Sequence, residues 1–151
     1  MKISFDFHGV LESFPALFIP LLCELRENKH QIYILSGSPA VNLYFKLNDL
    51  GYSKGIHYNS VLSITDYLLA KDIPCRTDEK NDFWFDDKKW WSAKASICKM
   101  HSIDFHLDDR IEYQKYFPNF EGSCKFILLD NKTLVKTAVI EQIGLKLKEK
   151  E

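Results

Sequence analysis

Short runs of mostly apolar residues recur along the chain and alternate with segments whose apolar residues follow a helical spacing. Such runs are typical of strands that are buried on both faces of a parallel sheet. The alternation predicts an α/β protein, namely a Rossmann-like three-layer sandwich with a mostly parallel five-stranded sheet. The predicted strands span residues 3–7, 31–35, 58–62, 103–107 and 125–129.

Helix signals lie between and after these strands. Ser38 and Pro39 have the residue types of an N-cap and a first helical position, and Thr133 is the predicted cap of the last helix. The least regular part of the chain is polar and lies within residues 71–87. Because the third strand and its helix must precede this region, it has room only for a small loop or flap.

Length and charge narrow the class of protein. The 151 residues fit a single domain covering residues 1–151, and 20 Lys and Arg nearly balance 21 Asp and Glu. The charge pattern therefore gives no strong signal for nucleic-acid binding. The longest apolar run, residues 14–22, is too short to cross a bilayer, and acidic residues precede it where a signal peptide has basic ones. We expect a cytoplasmic protein without membrane association; the oligomeric state is open.

The four cysteines are scattered singly, which suits reduced thiols better than a disulfide framework. Cys98 and His101 have a spacing that metal ligands use on a helix. However, no second pair in the sequence completes a four-ligand zinc site. We therefore expect both residues to be structural.

Residues with functional side chains lie at the carboxyl ends of three of the predicted strands. Asp6 lies at the carboxyl end of the first strand, Ser36 and Gly37 follow the second, and Asp108 and Asp109 follow the fourth. In an open parallel sheet, ligands bind beyond the carboxyl ends of the strands. Several carboxylates at one edge repel one another unless a cation lies between them, and an all-oxygen site suits Mg²⁺. The backbone N–H groups after Ser36 precede a helix, where an anion binds readily.

Four segments carry a resemblance to a known family. FDFHGVL, YILSGS, WWSAKASICK and FHLDDR occur in the order of the four motifs of the haloacid dehalogenase-like (HAD) phosphohydrolase superfamily. The segments span residues 5–110, which is most of the chain. A lone aspartate after a strand is weak evidence for a family, whereas four ordered motifs at fitting positions are specific.

The resemblance implies a role for each matching residue. Asp6 resembles the nucleophile that takes the phosphoryl group as an aspartyl-phosphate. Ser36 resembles the residue that binds the phosphoryl oxygens, and Lys94 resembles the lysine that neutralises nucleophile and phosphate. The implied Mg²⁺ ligands are the carboxylates of Asp6, Asp108 and Asp109 and the main-chain carbonyl of His8, with the choice between Asp108 and Asp109 left open.

His8 departs from the family pattern, which has a second aspartate at this position as the acid and base. Metal coordination through the backbone carbonyl is unaffected by the change of side chain. Proton transfer needs a titratable group, and an imidazole both gives and takes protons near neutral pH. Against this, a nearby Mg²⁺ disfavours the imidazolium, and the ring reaches differently from a carboxylate. The sequence favours His8 as the acid and base and leaves a non-catalytic filler as the alternative.

These observations lead to one functional hypothesis and two alternatives. The resemblance implies a Mg²⁺-dependent phosphomonoester phosphatase that acts through Asp6 on a nucleotide or another small phosphate. The first alternative is a catalytically silent HAD-like module that binds metal or phosphate and acts through partner contacts. The second is phosphoryl transfer to an acceptor other than water. Each site residue taken alone also has a purely structural reading, such as a helix cap, a solvated lysine or a surface ion pair.

The segment between Asp6 and Ser36 is filled by one helix and one strand, so it excludes the large cap domain that many HAD-like proteins insert there. An open site admits a bulky phosphate or needs a partner to close it. The aromatic residues at 83–85, 90 and 91 are candidates for stacking on a nucleobase. The sequence favours ordinary packing for them.

Overall fold

The central feature of the computed structural model is a five-stranded sheet in which all neighbouring strands are parallel. The structure describes residues 1–130 and 135–144. In chain order the elements are β1 (Lys2–Phe5), α1 (Pro15–Glu27), β2 (Gln31–Ser36), α2 (Ala40–Asp49), β3 (Ser60–Ser63), α3 (Ile64–Ala70), β4 (Cys75–Thr77), β5 (Phe83–Phe85), α4 (Asp87–Met100), β6 (Phe105–Asp108), a 3₁₀ helix (Ile111–Tyr116), β7 (Lys125–Leu128) and α5 (Lys136–Gln142).

The sheet has the strand order β3-β2-β1-β6-β7, so β1 lies in the middle between β2 and β6. Alternate residues of each strand point to opposite faces. On β1, Ile3 and Phe5 pack with the apolar residues of α1, α2 and α5. The other face packs against α3, α4 and the 3₁₀ helix. Both faces are therefore covered, which gives the three layers that the alternating pattern predicts.

The five strands predicted from the sequence are present, and the fold class is confirmed: the chain forms a Rossmann-like α/β sandwich without a large cap in the described residues. The third strand begins at Ser60 rather than at residue 58. Thr133, the predicted cap of the last helix, lies outside the described residues. None of the described helices is both long and apolar enough to cross a membrane.

The predicted start of α2 is wrong. The helix begins at Ala40, with Pro39 at the N-cap position, and Ser38 does not cap it. Instead, the N–H group of Ala40 donates to the carboxylate of Asp66, which lies in α3, at 3.0 Å. A contact from a neighbouring element thus replaces the local cap, and it leaves the Ser38 hydroxyl available elsewhere.

A small antiparallel hairpin occupies the region for which the sequence predicted only a loop or flap. Strands β4 and β5 pair from Cys75 with Phe85 to Thr77 with Phe83. Asp78 organises the turn: its carboxylate accepts hydrogen bonds from the N–H groups of Lys80 and Asp82 and from the indole of Trp84. The hairpin leads directly into α4.

Candidate functional site

Three strand ends meet at one edge of the sheet because β1 lies between β2 and β6. Asp6 directly follows β1, Ser36 ends β2 and Asp108 ends β6. The N–H group of Asp6 donates to the carbonyl of Leu107 at 2.9 Å, which continues the pairing of the two strands up to the site. The predicted convergence of these side chains is thus a consequence of the strand order.

Lys94 joins the carboxylates of the two neighbouring strand ends. Its ammonium donates to Asp6 at 2.7 Å and to Asp108 at 2.5 Å, and the side chain is almost fully buried. The ammonium also lies 4.3 Å from the centre of the Tyr113 ring, which gives it a cation–π contact. An ammonium has three N–H groups, so one remains beyond the two carboxylate contacts.

The other lysines of α4 are unlike Lys94. Lys88, Lys89 and Lys99 are exposed, so none of them is placed between carboxylates in this way. Asp108 also does not form a surface ion pair with the nearby Arg110, which would be its structural reading. Asp108 is buried, and the Arg110 guanidinium pairs instead with Glu112 at 3.0 Å.

Two further groups hydrogen-bond the Asp108 carboxylate, and one of them is in turn bonded to Ser4. The N–H group of Arg110 donates to its Oδ1 at 3.0 Å, and Nε2 of His106 lies 3.0 Å from its Oδ2. Nδ1 of His106 lies 2.7 Å from the Ser4 hydroxyl. Burial lowers the pKa of His106. A neutral ring that donates from Nε2 to Asp108 and accepts from Ser4 at Nδ1 satisfies every contact.

The carboxylates of the site differ in their pKa values. Burial raises the pKa of Asp6 to about 6, although the Lys94 ammonium acts to lower it. For Asp108, burial also acts to raise the pKa, but Lys94 and His106 outweigh it and hold the pKa well below its usual range. For Lys94, burial acts to lower the pKa, and the two carboxylates outweigh it. The site therefore contains a charged ion pair between Lys94 and Asp108. Next to it lies the carboxylate of Asp6, whose ionisation is disfavoured by burial.

Asp109 adds a third carboxylate from the solvent side. Burial and the neighbouring Asp108 raise its pKa. Carboxylate oxygens of Asp6, Asp108 and Asp109 all lie within 4.8 Å of one another. Three carboxylates near one ammonium leave an excess of negative charge, and oxygen is the ligand that Mg²⁺ prefers. The donor set therefore fits the predicted Mg²⁺.

The turn after β1, Phe7–Leu11, approaches Asp109 very closely. Gly9 has a φ angle of +77°, and a Cβ atom at this position would lie 2.2 Å from Oδ2 of Asp109. Only glycine combines this conformation with this approach. Tyr52 anchors the turn, because its buried hydroxyl donates to the carbonyl of Leu11 at 2.7 Å.

Ser36 places an unpaired polar atom in the same site. Its hydroxyl is buried and has no hydrogen-bond partner in the described part of the chain. It lines a cavity of about 350 Å³ together with Asp6, Gly37 and Lys94. Buried hydroxyl groups are rarely left without a partner, so this one requires a polar partner in the cavity, either a ligand or a water molecule. Gly37 packs against Trp90, and a Cβ atom there would lie 2.7 Å from the indole ring.

His8 lies at the edge of this cavity, and its ring is 44% exposed. Nδ1 lies 3.0 Å from the carboxylate of Glu12, and Nε2 lies 3.0 Å from the hydroxyl of Ser38. The ring makes no hydrogen bond to Asp6 or to Lys94. Glu12 and Ser38 thus orient His8, and the sequence did not predict either of them as its partner. The four-residue spacing of His8 and Glu12 was no signal for this contact, because His8 and Gly9 have non-helical backbone angles.

The sequence prediction of structural roles for Cys98 and His101 is consistent with their positions. Cys98 is buried, and its sulfur lies 3.8 Å from the Ser4 hydroxyl. Across residues 1–130 and 135–144, the three aspartates form the one group of three or more side chains with metal-ligand geometry. Within the described residues, this group coincides with the strand-end site.

Comparison with known proteins adds no assignment. No protein-family model matches the sequence, and no curated protein matches it. The functional argument therefore depends on the geometry of the site and on the motif resemblance.

Proposed function

We propose that the protein is a Mg²⁺-dependent phosphomonoester phosphatase of the HAD-like type that uses Asp6 as the nucleophile. The observation that carries the proposal is the unpaired Ser36 hydroxyl in the cavity that also holds Asp6 and Lys94. A phosphate group in this cavity meets a hydrogen-bond donor, a cation and a nucleophile. Catalysis of phosphoryl transfer depends mainly on such positioning and on positive charge.

In the first step, a carboxylate oxygen of Asp6 attacks the phosphorus of the substrate. The bond between phosphorus and the leaving oxygen breaks, and that oxygen takes a proton from Nε2 of His8. In the second step, a water molecule loses a proton to His8 and attacks the phosphorus of the aspartyl-phosphate. The bond to Asp6 then breaks and inorganic phosphate leaves, which restores the starting state of both residues.

Lys94 and Ser36 serve both steps by binding. The ammonium of Lys94 offsets the repulsion between Asp6 and an anionic phosphate, and the Ser36 hydroxyl donates to a phosphoryl oxygen. When bound by the carboxylates of Asp6, Asp108 and Asp109 and by the main-chain carbonyl of His8, Mg²⁺ supplies further positive charge for the phosphoryl group.

Glu12 supports the role of His8 as acid and base. Its carboxylate lies 3.0 Å from Nδ1 and holds the ring in its orientation, as an orienting carboxylate does for a catalytic histidine. Because His8 is exposed and lines the cavity, its Nε2 has access to the leaving group once it releases Ser38.

One observation favours the second candidate, a catalytically silent module that binds metal or phosphate. The His8 ring is hydrogen-bonded to Ser38 and Glu12, outside the cluster of Asp6 and Lys94. A silent module retains ligand binding but has no turnover. Transfer to an acceptor other than water is the third candidate, and an added alcohol that accelerates release of the leaving group identifies it.

The test is release of inorganic phosphate from a panel of phosphomonoesters, with Mg²⁺ and with a chelator. Asp6→Asn is expected to reduce release at least about a thousandfold, because it removes the nucleophile. Asp49→Asn, an exposed substitution at the end of α2, is the control and is expected to have no effect. Turnover that survives Asp6→Asn contradicts the mechanism, and a fully inactive wild type supports the silent module.

A further inference from the structure

A second and larger cavity adjoins the proposed phosphate site. Its volume is about 620 Å³, which is within the range of small-molecule sites. It shares four lining residues with the phosphate cavity: His8, Gly37, Trp90 and Trp91. Because the two cavities share these walls, a substrate whose phosphate lies beside Ser36 can place its leaving group in the larger cavity.

Five of the residues that line this cavity are aromatic. Phe83, Trp84 and Phe85 of the hairpin line it, and Trp90 of α4 lines it from the sheet side. Phe85 and Trp90 are stacked, with ring centres 6.1 Å apart and an angle of 20° between the planes. Trp84 is 54% exposed, and its indole N–H donates to Asp78 at 3.0 Å, which orients the ring. Ordered ring faces of this kind bind flat groups.

The cavity lining also contains polar side chains, which can form hydrogen bonds with the edge of a flat ligand. Asn42 and Asn81 line the cavity, and in residues 1–130 and 135–144 their side-chain amides make no hydrogen bond. The charged lining residues are one lysine, Lys80, and two aspartates, Asp82 and Asp87. Their net negative charge disfavours a leaving group that carries further phosphates.

We propose that this cavity binds the base of a nucleoside monophosphate, so that nucleoside monophosphates are the preferred substrate class. The inference rests on the proposed function for its catalytic part, whereas binding of the base is independent of turnover. The rings of the hairpin and α4 supply stacking, and the asparagine amides supply hydrogen bonds to the edge of the base. The hairpin thereby becomes the specificity element of the site.

The first test is equilibrium binding in the presence of Mg²⁺, with Asp6→Asn as the background so that the ligand is not cleaved. Adenosine 5′-monophosphate is the probe, and glycerol 3-phosphate and phenyl phosphate are the comparisons. Adding Trp84→Ala is expected to weaken binding of the nucleotide about fivefold to 150-fold, which is the contribution of one stacking contact. Binding of glycerol 3-phosphate is expected to stay unchanged.

Phe45→Ala is the matched control, because Phe45 is 70% exposed on α2 and does not line the cavity. Asn42→Ala provides a second, independent variant that replaces an exposed polar side chain, and it is expected to weaken nucleotide binding without affecting phenyl phosphate. Equal effects of Trp84→Ala on the nucleotide and on glycerol 3-phosphate overturn the proposal. Phenyl phosphate that binds as tightly as the nucleotide also overturns it, since stacking without recognition of a base then explains the affinity.

Kinetic measurements separate this inference from the proposed function. If wild type hydrolyses adenosine 5′-monophosphate and glycerol 3-phosphate with equal kcat/KM, the base site is refuted and the phosphatase remains. If the nucleotide binds in a Trp84-dependent manner but no ester is hydrolysed, the base site remains and the phosphatase is refuted. A kcat/KM at least tenfold higher for the nucleotide, lost in Trp84→Ala, supports both.

Discussion

Replacing Lys94 by Met tests whether the ammonium between Asp6 and Asp108 organises the site. The methionine keeps most of the aliphatic volume but removes the charge, and Lys94 is only 1% exposed. Two buried carboxylates are then left without their shared cation. Removing one partner of a buried ion pair typically costs about 3–5 kcal/mol. For a chain of this size, this corresponds to a decrease in Tm of roughly 6–20 °C in the absence of metal.

The stability loss also has a defined dependence on pH. In wild type the pKa of Asp108 is held low, so this carboxylate contributes stability at neutral pH that is lost as the pH falls. The pKa of Asp6, already about 6, rises further without Lys94, so the variant loses stability as the pH rises through that value. Both effects have the same sign. The difference between wild type and Lys94→Met is therefore expected to be larger at pH 8 than at pH 5.

The assay is urea unfolding of both proteins at several pH values, with chelator present. Lys99→Met is the matched control, since it is the same substitution on an exposed position of the same helix. Its expected effect is within about 0.5 kcal/mol at every pH. A loss for Lys94→Met as small as that of the control, or a loss that does not depend on pH, refutes the electrostatic account of the site.

Three further measurements address Gly9 in the turn after β1, the hydrogen bond from Tyr52 to that turn, and the binding of Mg²⁺. Gly9→Ala is expected to destabilise the protein more than Gly55→Ala. Both residues have a positive φ angle, but a Cβ at position 9 meets the Asp109 carboxylate, whereas at position 55 it meets no atom of the described chain within 4 Å. Equal unfolding midpoints contradict this. Tyr52→Phe is expected to lower the free energy of unfolding by about 1–3 kcal/mol, because the buried carbonyl of Leu11 loses its donor; an unchanged denaturation curve speaks against that contact. Mg²⁺ at about one hundred times its Kd is expected to stabilise wild type by about 2.7 kcal/mol, and an identical Tm with metal and with chelator argues against the site.

The sheet could be predicted from the sequence because its strands are buried on both faces and therefore appear as short apolar runs. The hairpin could not be predicted in this way. Its strands have three residues each, and those of β4 are all exposed, so no apolar run marks them. The start of α2 was predicted wrongly because the helix end is bonded to Asp66, a residue of another element. A local sequence pattern contains no information about such a contact.

For the site, the convergence of Asp6, Ser36 and Asp108 follows from parallel strands and their order. The supporting contacts are less accessible to sequence reasoning. Ser4 and His106 are partners in neighbouring strands but lie 102 residues apart in the chain. Their hydrogen bond depends on the register between β1 and β6, which the apolar pattern does not determine. The catalytic roles of Asp6, Lys94 and His8 are predictions that the experiments above test.

The position of β1 in the middle of the sheet has a consequence for synthesis of the protein on the ribosome. Among the strands of the sheet, β1 is synthesised first and β2 follows soon after it, but β6 on its other side follows about one hundred residues later. At about 5–20 residues per second, that edge of β1 stays unpaired for roughly 5–20 seconds. During this interval the backbone groups of a buried apolar strand are accessible to other nascent chains. Completion of the sheet, and with it the cluster around Asp6, must await the synthesis of β6 and β7.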